Sequence, residues 1–238
     1  MVLDCDGTVI KESICGVITR AGLIIPGFSD DRLQELRSKG ISGTLTKEDE
    51  IEWFESTLNE IVNARLSISQ VFQVVRKIEL KPGVMDCLQM LNNFNVPVAI
   101  VSYGISEFIA MVIPEEDLGA IFASELRLDD GTVTGKKVIF HSRDQRLIVG
   151  YDKESIVLPS TKGGCSRQFA DFYGVPYENI LAVGDSGSDC ELGFLKKNRL
   201  GIAEDEAHAD KIRPFMGEVV ISEDFYPVIS WLENKIKV

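Results

Sequence analysis

Apolar positions recur along this chain in two rhythms, and the change from one to the other divides it. It opens on a short apolar run, Met1-Val2-Leu3, closed off by Gly7 and Thr8. That is brief for a central strand, which usually runs about 5–6 residues. Between residues 12 and 80 the spacing is helical. One helix is expected from a cap at Ser29 or Asp30, through Leu33, Leu36 and Arg37, to a stop at Gly40. A second begins after Thr46, where Asp49 makes a capping-box-like start. It carries Ile51, Phe54, Leu58, Ile61, Val62 and Leu66 at three- and four-residue intervals. A third starts at Ser67 or Ser69 and carries Val71, Phe72, Val75 and Ile78.

From Pro82 the pattern changes to short β-branched runs alternating with helical stretches, as in βαβ units. Helices are predicted over 84–91, 106–112 and 162–173, and strands over 96–101, 122–128 and 180–183. The first of these strands should end at Ser102-Tyr103-Gly104. The turn Asp129-Asp130-Gly131, with Thr132-Val133-Thr134 returning, is a hairpin signature. Val138-Ile139-Phe140 and Leu147-Ile148-Val149 suggest further short strands within 136–158 to which the pattern assigns no role. Gly201-Ile202-Ala203 and Val219-Val220-Ile221 complete the set, each followed by a helix. The expected fold is α/β: a doubly wound, mostly parallel sheet built from residues 1–11 and 81–238, with a small helical domain, 12–80, inserted after the first strand.

Composition narrows the function. The 238 residues suit one large α/β domain or a core with a small insertion. No apolar run reaches the roughly 20 residues that span a bilayer, and no basic segment precedes an apolar one as in a signal peptide. The five cysteines, Cys5, Cys15, Cys87, Cys165 and Cys190, are scattered and form no CxxC pair. A reducing, cytoplasmic setting is expected. A net charge of −12 disfavours nucleic acid and anionic membrane as partners. It also repels phosphorylated substrates at long range, so a phosphate site here must be locally positive, made by metal, lysine and backbone N–H groups.

The chemistry gathers at predicted strand ends. Asp4 and Asp6 follow the first apolar run one residue apart and would share a face if the strand ran straight through. In open α/β sheets the carboxyl ends of strands form the ligand crevice. Two carboxylates so close repel, and a hard divalent cation such as Mg²⁺ relieves them. Taken alone, Asp-x-Asp-Gly also opens loops and resembles part of a calcium loop. Ser102 with Gly104, Lys162, and the pair Asp185/Asp189 occupy equivalent strand-end or helix-start positions. Cys5, between the two aspartates, points to the opposite face and is expected to pack. His141 and His208 have no matching partners and are expected to be structural or surface residues.

In this order, Asp-Cys-Asp-Gly-Thr, Val-Ser-Tyr-Gly, a lone lysine and Gly-Asp-Ser-Gly-Ser-Asp, the motifs resemble the haloacid dehalogenase superfamily across essentially the whole chain. The helical insertion after the first motif and the hairpin at residues 128–135 resemble its phosphoserine phosphatase-like branch. The resemblance implies a phosphatase acting on a small phosphorylated metabolite, as monomer or homodimer. Asp4 would be the nucleophile and Asp6 the acid/base. Mg²⁺ would be held by Asp4, Asp185 and the backbone carbonyl of Asp6. Ser102, Tyr103 (through its backbone N–H), Gly104 and Lys162 would bind the phosphoryl oxygens. Thr8 would buttress the first loop, and Asp189 would stand behind the metal and orient Lys162. Substrate choice is expected from Glu12, Trp53, Phe54 and Arg65. No arginine stands among Phe54 to Val62, where phosphoserine phosphatases place one, and Ile51-Glu52-Trp53-Phe54 is similar to the cytosolic pyrimidine 5′-nucleotidases. A nucleotidase, or a non-catalytic regulator on the same fold, is therefore the alternative. Intact Asp6 argues against the regulator, which has no chemical need for both carboxylates.

Overall fold

A computed structural model describes residues 1–23, 30–42, 63–114, 117–142, 149–151 and 162–236, with the single positions 44, 46, 49, 52 and 60. Among the described residues, eight strands form one sheet. The first, β1 (Val2–Leu3), is its shortest described strand and lies at its centre, hydrogen-bonded in parallel to β2 (Ala99–Ile105) and to β6 (Ala182–Gly184). Outward from β2 come β3 (Ala120–Asp129), β4 (Thr132–Ser142) and β5 (Val149–Tyr151). Outward from β6 come β7 (Arg199–Ala203) and β8 (Glu218–Ile221). All neighbours are parallel except β3–β4 and β4–β5. Two residues suffice for β1 because it is paired on both edges, so every backbone group it exposes finds a ladder partner.

Side-chain alternation distributes the strands' apolar residues over two cores. Leu3, Ile100, Ile121 and Val183 face one side. There they pack with α1 (Ile14–Arg20), α3 (Ile68–Val75), α4 (Val84–Asn93), α5 (Ser106–Val112) and α8 (Tyr226–Lys235). Val2, Ala99, Val101, Phe122 and Ala182 face the other, against Cys165, Phe169 and Ala170 of α6 (Lys162–Phe172). Phe169 is 1% exposed and meets Phe122 edge-on at 6.3 Å. Full burial of such a ring is worth about 1.5–3 kcal/mol. A third cluster joins α7 (Glu206–Ile212) to β7 and reaches Ile41, at the end of α2 (Asp30–Ile41).

The elements follow their expected places with three corrections. Helix α2 continues through Gly40 to Ile41, because Gly40 is itself buried and the turn after it still has carbonyls to pair with. Strand β2 begins at Ala99 and runs through Ser102, Tyr103 and Gly104 to Ile105, pairing again with β3 at Ser124 after a register shift. The polar triplet that looks like a turn is the irregular end of a strand, bent where it leaves the core. Val138-Ile139-Phe140 is not a separate strand but the middle of β4, paired throughout with β3; Leu147 and Ile148 lie outside the described residues. Most of the second expected helix, 51 and 53–59 included, also lies outside them. Its start is visible: Asp49 N–H donates to Thr46 Oγ1 at 3.1 Å and Thr46 N–H to Asp49 Oδ2 at 3.0 Å, a reciprocal cap.

Candidate functional site

Because β1, β2 and β6 are adjacent and parallel, their carboxyl ends open on one edge of the sheet. Asp4 follows β1, Ser102 to Gly104 close β2, and Asp185 follows β6. Lys162, the first residue of α6, supplies the cation between them. Its Nζ donates to Asp4 Oδ1 and to Asp189 Oδ1, each at 2.6 Å, and all three side chains are buried. One carboxylate oxygen from each of Asp4, Asp185 and Asp189 lies within 4.8 Å of the others.

Asp189 is used up in this arrangement. Its Oδ2 accepts from Asp185 N–H at 3.1 Å, Ser186 N–H at 2.9 Å and the Ser186 hydroxyl at 2.8 Å, while Oδ1 takes Lys162. A carboxylate offers about four lone-pair sites, and with four hydrogen bonds, three of them on Oδ2, Asp189 orients its neighbours. Asp185 is held by Thr8, whose hydroxyl donates to Oδ1 at 3.1 Å. Gly7 has φ +75°, and a Cβ there would lie 2.2 Å from Asp185 Oδ2, so only glycine lets the first loop close on the acidic one.

The electrostatics follow from burial. Burial, with repulsion from Asp189 and Asp185, pushes the Asp4 carboxyl well above the usual range against the pull of Lys162. Burial and then Asp189 push Asp185 up to about 7. Burial would pull the Lys162 ammonium down, but Asp189 and Asp4 on either side hold it charged. Three clustered carboxylates, Asp4 and Asp189 buried and Asp185 half-buried, thus stand around one ammonium, an excess of negative charge offered through oxygens alone. That donor set fits a hard divalent cation.

Asp6 turns away from this cluster. Its Oδ1 accepts from Ile14 N–H at 3.4 Å, at the start of α1, and burial raises its carboxyl against hydrogen bonds from Ser13 and Ile14. Asp4 and Asp6 therefore do not share a strand face: β1 ends at Leu3 and the chain has already turned by Asp6. Ser102 Oγ accepts from Gly104 N–H at 3.0 Å, shaping the end of β2. The Tyr103 ring, 41% exposed, has Lys162 Nζ 4.9 Å from its centroid. Cys5 is fully buried in the core, as its position implied.

Two of the expected specificity residues are described. Glu12 is exposed and paired with Arg20. Arg65 is exposed in a left-handed turn, φ 48°, ahead of α3. Trp53 and Phe54 lie outside the described residues.

Two residues were given no part in the site by the sequence. Lys81 is 4% exposed, and its ammonium donates to the carbonyl of Gly7, fastening the first loop. His208 is not a bystander, since its Nε2 lies 2.6 Å from the carbonyl oxygen of Asp185. Neither has a local signal: each is a lone residue brought in by a distant element.

A family model described as pyrimidine 5′-nucleotidase (UMPH-1) matches residues 42–194. Among curated proteins, phosphoserine phosphatase SerB2 of Mycobacterium tuberculosis is 26% identical over 204 residues, covering 85% of this chain and 43% of that protein. The chain spans about half the length of the first such relatives. A substrate-bound phosphoserine phosphatase structure has the same fold, with TM-score 0.66 at 19% identity over 97% of this chain and 96% of that one. Cytosolic 5′-nucleotidase IIIB bound to cytidine gives TM-score 0.60 at 14% identity, over 99% and 85%.

Proposed function

The chain belongs to the pyrimidine 5′-nucleotidase (UMPH-1) family, within the haloacid dehalogenase-type, phosphoserine phosphatase-like hydrolases, and from that premise we propose that it is a Mg²⁺-dependent phosphomonoester hydrolase working through a phosphoaspartyl intermediate on Asp4. The observation that carries the proposal is Lys162 held between Asp4 and Asp189 with Asp185 beside them. A phosphate dianion repels nucleophiles, so a catalyst must first cancel charge and then divide the displacement into two steps.

Bound by Asp4, Asp185 and the carbonyl of Asp6, Mg²⁺ supplies positive charge that screens the phosphate from the Asp4 carboxylate. Lys162 fixes one Asp4 oxygen and presents its ammonium to the phosphoryl oxygens, with Ser102 and the backbone N–H groups near Tyr103 and Gly104. Asp4 attacks phosphorus as the bond to the leaving oxygen breaks. Asp6, whose carboxyl burial raises, gives that oxygen its proton. It then takes a proton from the water that hydrolyses the phosphoaspartate, releasing inorganic phosphate and restoring both carboxyls.

The substrate reading is a small phosphorylated metabolite. A pyrimidine nucleoside 5′-monophosphate is the first candidate, on the family match. Phosphoserine is the second, on the curated relatives. The helices of 12–80 stand in sequence between β1 and the rest of the sheet and form the cap in this reading. The protein is proposed to act in the cytoplasm as a monomer or homodimer, with neither nucleic acid nor membrane as partner. Among the described residues no helix is long and apolar enough to cross a membrane.

Phosphate release should be measured over UMP, CMP, phosphoserine, sugar phosphates and pyridoxal phosphate, with Mg²⁺ and with EDTA. Turnover that needs Mg²⁺ and falls at least about a thousandfold in Asp4→Asn is expected, since a covalent nucleophile is lost. A folded protein that binds Mg²⁺ and releases phosphate from none of them would overturn the assignment in favour of a regulatory role.

A further inference from the structure

Asp185 is gripped at three points by three different side chains. Asp189 Oδ2 takes its N–H, Thr8 reaches its carboxylate, and His208 faces its carbonyl. The first comes from the same loop and the second from the loop after β1. His208 comes from the first turn of α7, after β7, a separate element of the sheet edge.

The orientation of that ring is determined by its own surroundings. Glu204 N–H lies 3.3 Å from His208 Nδ1 and can only donate, so Nδ1 accepts. In a neutral imidazole the other nitrogen then carries the hydrogen. Nε2 therefore donates to the Asp185 carbonyl. The backbone beneath the ring is fixed too, with His208 N–H donating at 2.7 Å to Asp205 Oδ1, the N-cap of α7. The chain of constraint runs from the cap of α7, through an imidazole of defined tautomer, to the peptide that carries a proposed metal ligand.

We propose that His208 is a positioning residue: its Nε2–H pins the Asp185 peptide and thereby sets how tightly the acidic loop holds its divalent cation. The inference rests on the proposed function, which makes Asp185 a ligand. His208 acts through Asp185 and touches neither substrate nor reacting atoms. The direction in which a carboxylate points depends on the orientation of its own peptide. Asp189 Oδ2 also takes the Ser186 N–H of the same peptide at 2.9 Å, so loss of the carbonyl's donor leaves that peptide with one anchor instead of two and lets it tilt. Groups that orient ligands in this way typically contribute about 10–100-fold to metal affinity.

Calorimetric titration of Mg²⁺ into the unsubstituted protein, His208→Leu and His208→Gln tests this directly. Leucine fills the space without a donor, whereas a glutamine amide can place an N–H near the position of Nε2. His208→Leu should bind Mg²⁺ about tenfold more weakly, and His208→Gln within about threefold of the unsubstituted protein. In turnover, the Mg²⁺ activation constant of His208→Leu should rise while kcat at saturating Mg²⁺ stays close to normal. Unchanged affinity in His208→Leu, or no recovery in His208→Gln, would overturn the proposal while leaving the metal site intact. If the unsubstituted protein takes up no Mg²⁺, the metal reading fails and this inference fails with it. Should His208→Leu not fold, imidazole ¹⁵N shifts of the unsubstituted protein decide: an Nε2–H tautomer is expected, and an Nδ1–H tautomer overturns the proposal.

Discussion

Single residues carry this site because so little space separates its two acidic loops. At Gly184, the last residue of β6, a Cβ would fall 2.3 Å from the Cβ of Asp189. The obstruction is the root of a side chain held by four hydrogen bonds, so it cannot swing aside. Gly184→Ala should therefore cost about 1–3 kcal/mol, the usual range for overpacking, and should separate Asp189 from Lys162. Denaturant unfolding of the metal-free protein checks the first expectation, and an unshifted midpoint would contradict it. The clustered carboxylates and Lys162 were legible in the sequence because they sit in short motifs whose spacing is set by strand ends. Lys81 and His208 were not. A buried lysine before Pro-Gly and a histidine in a seven-residue helix look like any surface pair until the sheet order brings them to Gly7 and Asp185.

Elements were legible where local chemistry alone decides them. Ser67 caps α3 through a reciprocal box: its hydroxyl accepts from Gln70 N–H at 3.2 Å, and the Gln70 side chain accepts from Ser67 N–H at 2.9 Å. The pattern Ser-x-x-Gln ahead of an apolar stripe contains all of that information. Ser67→Ala should cost about 1 kcal/mol, read as a lower midpoint at unchanged denaturant slope, whereas Ser69→Ala, outside the cap, should be nearly silent. Equal effects would show that the box does not hold the helix. The hairpin of β3 and β4 was legible for a similar reason, since Asp130 and Gly131 both adopt positive φ. Its depth was not, because pairing from Ala120 to Ser142 depends on the partner strand. Nor was the extension of β2 through Ser102-Tyr103-Gly104, whose composition locally favours a turn and which lies in the register shift between the pairs Val101–Phe122 and Ile105–Ser124. Tertiary pairing overrides propensity at the strand end that lies beside Lys162.

At the scale of the whole molecule, β1 at the centre of the sheet concentrates acidic groups in the interior of a chain that already carries a net charge of −12. Asp185, pushed up to about 7 from an ordinary 3.8, keeps a proton in the folded, metal-free protein over a range in which the unfolded chain has released it. Asp4 is displaced in the same direction. Folding therefore takes up protons between about pH 4 and pH 7, and stability must fall as pH rises through that window. Mg²⁺ binds the deprotonated carboxylates, so it competes with these protons, and its stabilisation should be small near pH 5 and large near pH 8. Thermal melts in EDTA at physiological salt are expected to show a melting temperature that declines from about pH 5 to pH 8, and saturating Mg²⁺ should flatten that decline. General repulsion among surface carboxylates would act in the same sense, but salt screens it and it does not depend on one residue. Asp185→Asn separates the two causes: it removes the buried titration while barely changing the surface. The variant should lose much of the pH slope in EDTA and much of the Mg²⁺ response. A slope that survives unchanged in Asp185→Asn would place its origin at the surface and remove the buried acidic cluster from the account of stability.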